Sequence, residues 1–368
     1  MAKPGMRFTY HVISATVAGE GDKWVADDNG AWINQATGER FDRQKKEAGG
    51  SSDTYEQFDV LALDDKQSLM VMNPYTVTPV FPAPTHASNI VYHVGSAGFG
   101  SSIWSNKDAL QQLQETTEPN RRIRKGQWRM GSGMTDAVTL FDFDSNNRSF
   151  YAYDLNTGLL IEYGIVGRSA STVKGTDETS NTGSSIMVAG AIVNARQLNI
   201  PWANEPDPEW VATLKSLTYE TVSTFSMSGQ TLPSTTLRSR YQVDERGNGY
   251  TKFTRRVIQA DGPDMTAGQP MPFITSAARF DPLWVAPAAL AKLQAGQVLD
   301  SDPYTQVTIR VEGVQQGPKG PYLVIHYANA AEESRCGYDL KTGCLVSSIS
   351  FSQATHTQLT TTLAEMES

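Results

Sequence analysis

A chain of 368 residues, 39% hydrophobic and 19% charged, is long enough to bury two cores, and its composition excludes a disordered polymer. A net charge of −8 excludes a general phosphate-binding surface, so nucleic acid is not an expected partner. No apolar run approaches the roughly 20 residues that a membrane-crossing helix needs, so no transmembrane segment is expected.

The opening MAKPGMRFTY holds neither an apolar segment nor a small-residue cleavage site; a mature domain freed of its leader would begin in the same way. Phe8-Thr9-Tyr10 is the first strand signal. A polar segment near 18–52 follows, with Asn29-Gly30, a type I′ hairpin signal, flanked by Trp24 and Trp32 and followed by a polar KKEAGGSS tip. GSAGFGSS, from residue 95, lacks the Lys and the spacing of a phosphate loop and reads as pliable backbone before a short helix in DALQQLQ, capped by Ser105 or Asn106.

The run RRIRK then places Arg121, Arg122, Arg124 and Lys125 together, with Trp128 and Arg129 beyond. Such a run suits either an anionic partner or the solvated face of a strand; Arg121, Arg122, Arg124 and Trp128 are candidate binding residues. Asp142 and Asp144 are two apart on a strand and read as its solvent side, with Phe141 and Phe143 turned inward. The polar stretch over 167–185 is too long for a tight turn and predicts an exposed hairpin tip or partial disorder; SSIMVAGAIVNA after it reads as a buried strand.

PWANEPDPEW, with three prolines and no periodicity, predicts a connection between domains, with a boundary near Asn204. The division is then 1–203 for a first β repeat with an inserted hairpin near 18–52, and 204–368 for a second. In the second, Leu217, Tyr219, Phe225 and Met227 share one strand face, Pro287 opens a helix over AALAKLQ that Gly296 stops, and Ile349 and Phe351 alternate with Ser350 and Ser352. Asp300-Ser301-Asp302-Pro303 reads as a turn, since the other ligands of a calcium loop are missing.

The division rests on an internal repeat. Tyr153-Asp154-Leu155-Asn156-Thr157-Gly158 matches Tyr338-Asp339-Leu340-Lys341-Thr342-Gly343; Trp104, Leu110 and Leu113 match Trp284, Leu290 and Leu293; Phe8-Thr9-Tyr10 matches Leu217-Thr218-Tyr219. Within each turn the Asp carboxylate can accept from backbone N–H groups two and three residues on, and Gly supplies the positive φ that closes the loop. The fold class that follows is mainly β: two tandem curved antiparallel sheets, half-barrel-like, each with one short helix. The arrangement is similar to the half-barrel of bacterial lipoprotein carriers and mycobacterial glycolipid-binding lipoproteins, where YDxxTG-like hairpins also occur. That likeness implies a concave groove for a lipid or another apolar molecule.

Cys336 and Cys344, the only two cysteines, flank the second turn on opposite arms of one hairpin. Facing strand positions bring Cβ atoms within about 4.5–5.5 Å, which predicts a disulfide and with it a periplasmic or extracellular setting.

Five histidines, His11, His86, His93, His326 and His356, show no i, i+4 pair, and no metal or cofactor site is expected. His326, within YLVIHYAN, is a candidate for a side chain in the concave space. The leading functional expectation is a non-enzymatic binding protein for a hydrophobic, lipid-like ligand. The alternatives are a cell-envelope structural or protein-interaction protein, and an enzyme with an acid/base site in the concavity, with His326 beside a Tyr or Asp.

Overall fold

The computed structural model describes residues 3–18, 24–26, 32–34, 51–63, 68–73, 91–94, 103–130, 133–143, 147–174, 179–227, 230–231, 234–260, 270–318, 320–330, 332–353 and 356–368. Strands make up most of it. In chain order they begin with β1 (Met6–Ala18), β2 (Trp24–Ala26), β3 (Trp32–Asn34), β4 (Ser51–Leu63), β5 (Ser68–Asn73) and β6 (Val91–Val94). They continue with β7 (Thr116–Glu118), β8 (Arg121–Met130), β9 (Gly133–Phe143), β10 (Asn147–Asp154), β11 (Leu160–Lys174) and β12 (Thr179–Gln197). The second series is β13 (Ser216–Met227), β14 (Gln230–Thr231), β15 (Thr235–Gly247), β16 (Tyr250–Ala260), β17 (Met271–Ser276) and β18 (Val298–Ser301). It closes with β19 (Thr308–Gly317), β20 (Gly320–Ala328), β21 (Glu332–Asp339), β22 (Leu345–Ser352) and β23 (Thr357–Glu367).

The two large antiparallel sheets follow one plan. The first runs β6-β5-β4-β1-β12-β11-β10-β9-β8-β7 and the second β17-β16-β15-β13-β23-β22-β21-β20-β19-β18, with the short β14 added to β13. In both, the opening strand pairs with the closing one, and among the described residues neither end strand pairs with the other, so each sheet is open rather than a closed barrel.

The hydrogen bonds repeat as the topology does. Asp154 Oδ1 accepts from the N–H of Asn156 and Thr157, and Asp339 Oδ1 from those of Lys341 and Thr342. Gly158 and Gly343 take φ of 78° and 75°. The turns dock on matching chain: Ser105 N–H donates to Gly158 O and Val285 N–H to Gly343 O, while Trp104 bridges to Leu159 and Trp284 to Cys344. Tyr10 Oη donates to Leu160 O and Tyr219 Oη to Leu345 O. A helix follows each Trp: α1 (Lys107–Gln112), capped by Asn106 Oδ1, and α2 (Pro287–Leu290), a single turn that ends well before Gly296.

By contact density the chain forms one unit of Phe8–Tyr55 with Val94–Ala195, and another of Ala2–Arg7, Glu56–His93 and Arg196–Ser368. The second unit has a continuous aromatic core. Tyr219, Tyr241, Phe253, Phe273 and Trp284 meet edge to face, with Tyr241 and Phe273 centroids 5.0 Å apart. Such contacts add about 0.5–1.5 kcal/mol per pair beyond the area buried.

Several expectations need correcting. Cys336 and Cys344 are free thiols, not a disulfide. Cys336 lies opposite Ser348, whereas a bulge after Gly337 sets Cys344 level with Asp339. The two are three strand positions apart, about 10 Å at roughly 3.3 Å per residue, and a disulfide requires Cα atoms within about 7 Å. The argument for an oxidising compartment loses its basis with the bond.

The polar stretch over 167–185 is largely strand, paired in unbroken register from Glu162↔Ala191 to Lys174↔Thr179. Trp24 and Trp32 lie on two paired antiparallel strands, in the register Trp24↔Asn34 to Ala26↔Trp32, and Asn29-Gly30 between them lies outside the described residues. The KKEAGGSS tip, His86, Asp144 and GSAGFGSS also fall, wholly or in part, outside them.

Candidate functional site

The strongest anomaly is on β22. Period-two burial would put Ile349 and Phe351 inside, yet Ser348, Ser350 and Ser352 are 2%, 1% and 2% exposed while Ile349 is 41% exposed. Register shows why these serines face the concave side: Ser348 opposes Cys336, a member of the aromatic core cluster, and the face repeats every second residue. The same face of the neighbouring strands is also hydroxylic. Ser334 bonds to Ser350 at 2.9 Å, Thr361 opposes Ser348, and Thr221 bonds to Thr361 at 3.0 Å. Ser239, paired with Tyr219, lies diagonal to Thr221. A band of small hydroxyls therefore crosses five adjacent strands, β21, β22, β23, β13 and β15.

Arg255 of β16 stands at the end of this band. It lies directly opposite Tyr241, with its guanidinium carbon 5.8 Å from the ring centroid, and its Nη2 donates to Ser239 Oγ at 3.3 Å. Its Nε is buried without a hydrogen-bond partner, and no carboxylate lies within ion-pair distance among the described residues. Arg238, Arg240 and Arg335 of this unit are matched, with Glu365, Glu367, and Glu312 and Glu333 respectively, whereas Arg246 bonds to the carbonyls of Val211 and Leu214 and Arg310 to His326. Met271, paired with Arg255, is 39% exposed, so the sheet rim is open to water at that point.

The segment 277–283 crosses the core below. Tyr327 and Tyr338 donate to the carbonyls of Phe280 and Pro282, and Trp202 Nε1 to that of Arg279. Arg279 and Asp281 form a buried two-bond ion pair there. Burial pushes the Asp281 carboxyl up against the pull of Arg279. Burial, with Asp281 adding to it, pushes the Cys336 thiol up to about 12, so it stays protonated.

A second polar centre in the same unit is ionic. Arg7 forks onto Asp59, Arg196 forks onto Asp300 and reaches Asp302, and Gln57 Nε2 donates to Asp302 at 2.9 Å. Each charge has a counter-charge, so this centre ties the N-terminal strand to the β18 turn and offers little to a ligand.

The residues singled out from sequence lie elsewhere. His326 points to the face opposite Ile325 and Tyr327, not into the concavity, because the strand alternates. Its Nδ1 accepts from Arg310 Nε at 3.2 Å, and Nε2 lies 3.3 Å from Glu333. Burial, then the positive charge of Arg335, lowers its pKa. The basic run is divided by the same alternation. Arg121, bonded to Asp142 at 3.0 Å, shares a face with Ile123; Arg122 and Arg124 share the other with Trp128, whose Nε1 donates to Glu162 at 3.0 Å and whose ring tilts against Phe150. The run does not gather into one patch. The alternation of Ile349 and Phe351 with Ser350 and Ser352 gives the strand its period but not which of its faces is inward, so it does not reveal the hydroxyl band; the available signal is the wealth of hydroxyls in two successive strands, SSISFS and TQLTTTL.

Fold and site together define a mainly-β protein of two tandem curved antiparallel sheets, the second carrying a hydroxylic inner band. Comparison with protein families and with curated proteins finds no match. A solved structure similar to this chain is that of a protein of unknown function of the DUF3598 family from Nostoc punctiforme, 9% identical, covering 97% of this chain and 95% of that one with a TM-score of 0.16. At that TM-score the likeness bears on neither site nor function.

Proposed function

We propose that the protein is a non-enzymatic binding protein that holds a small polar ligand against the hydroxyl band of its second sheet. The observation that carries this reading is the inversion of β22, with three serines buried and Ile349 exposed. Burying an Ile or Phe side chain stabilises a fold by about 1.5–3 kcal/mol, and this strand forgoes that gain at Ile349 to present hydroxyls inward. Hydroxyls both donate and accept, which suits a ligand bearing several polar groups. A lipid-like ligand is the less favoured occupant, because Tyr219, Tyr241, Phe253 and Phe273 already fill the apolar part of this face.

The test is native mass spectrometry of the protein as purified, before and after denaturation, with a thermal-shift screen of polar metabolites. A mass excess lost on denaturation, or a metabolite that raises the Tm of wild type but not of Ser350→Leu, supports the reading. A bare mass with no stabilising metabolite rejects it.

A further inference from the structure

Resting on that reading, we infer that the ligand is a hydroxylated organic acid, with its carboxylate received by Arg255 and its hydroxyls by the band that begins at Ser239. A half-buried guanidinium normally sits beside a carboxylate, because removing a charge from water without a counter-charge is costly. Arg255 departs from this. Its partners are the Ser239 hydroxyl and the side chain of Tyr241, both neutral, its Nε donates to nothing among the described residues, and it shares the concave side of the sheet with the hydroxyls.

The fork is also held in place. Stacking on Tyr241, itself fixed edge to face against Tyr219 and Phe273, limits the rotamers of Arg255, and the bond to Ser239 sets the plane of the guanidinium. Five N–H donors in one plane match a carboxylate by two parallel bonds, which a lysine ammonium cannot reproduce. Ser239 is the first hydroxyl of the band, and Thr221, Thr361 and Ser348 continue it, so an acid anchored at Arg255 has its substituents directed along donors and acceptors. Met271 at the exposed rim marks the side from which it enters.

The experiment is isothermal titration of wild type, Arg255→Gln and Arg255→Lys with D-gluconate and D-galacturonate, and with D-glucose and D-galactose as uncharged counterparts. Circular dichroism and thermal unfolding establish that each variant is folded; should Arg255→Gln be misfolded, Arg255→Lys and Ser239→Ala carry the comparison. The expected result is binding of at least one acid to wild type, weakened about tenfold or more by Arg255→Gln and only partly restored by Arg255→Lys, with the matching neutral sugar at least tenfold weaker. Acid binding unchanged in Arg255→Gln, or neutral sugars bound as tightly as acids, overturns the assignment to Arg255 and leaves the binding reading standing. No binding of either acid at 10 mM overturns the inference, and if the purified protein also carries no releasable mass, the binding reading falls with it.

Discussion

Arg7 and Asp59, 52 positions apart in sequence, meet in a buried fork, Nε to Oδ1 at 2.7 Å and Nη2 to Oδ2 at 2.9 Å. Both side chains are almost wholly shielded from water, so removing the arginine alone strands a carboxylate beside Asp300 and Asp302. The Arg7→Met variant is expected to lose about 3–5 kcal/mol in urea unfolding, the usual result of breaking one side of a buried pair. The double variant Arg7→Met with Asp59→Leu should recover most of that loss. Equal destabilisation of the single and double variants would mean that packing, not charge, governs this site.

Neither partner of that fork was legible in the sequence, since an Arg in the first strand and an Asp in a later one carry no mutual signal until the topology pairs them. The repeated Asp-x-x-Thr-Gly turns were legible because their chemistry is local: an Asp accepting from the next residues and a Gly at positive φ are fixed within six positions. The strand content followed from period two, but which face is inside did not. In β22 the periodicity is present with its phase reversed, and hydropathy therefore pointed the wrong way at the very residues that form the candidate site. The disulfide failed for a similar reason, because the bulge after Gly337 sets the register and bulges have no firm sequence signature.

Asp302 should govern part of the acid sensitivity. Burial alone would raise its pKa, but the Thr305 N–H, Gln57, and the charges of Arg7 and Arg196 outweigh burial, and the carboxyl is held below its ordinary value. A folded pKa below the unfolded one means that the stabilisation is present above the unfolded value of about 3.9 and is lost as pH falls through the folded value. Unfolding followed from pH 6 to pH 2 should show wild type losing more stability than Asp302→Asn over the acid limb. Parallel curves for the two proteins would remove Asp302 as the titrating group.

Gly343 offers a sharper test of the docked turns. A Cβ added there would lie 1.9 Å from Val285 O, and φ of 75° is strained for any residue with a side chain. The left-handed conformation alone costs roughly 1–2 kcal/mol, and the clash is with backbone that is itself bonded to Gly343 O. Gly343→Ala is expected to lower Tm by more than Gly249→Ala, which has a similar φ of 78° but open space around it. Equal losses would show that the backbone conformation matters and the docking against Val285 does not.

The two thiols provide the last test. Cys336 is fully buried, its pKa pushed up to about 12 chiefly by burial, and Cys344 is buried against the bridge to Trp284. Only the thiolate reacts with alkylating reagents, which protects Cys336, and burial shields Cys344, so neither should be modified by iodoacetamide at pH 8 in the folded protein. Both should react in 6 M guanidinium chloride without prior reduction, adding two carbamidomethyl groups by mass. If the unfolded chain takes up none until a reductant is added, the cysteines are joined, and the register that separates them on β21 and the following turn is incorrect. Labelling in the folded state at one position only would instead report local opening of the hairpin end, since Cys336 sits within the ladder and Cys344 beyond its last pair.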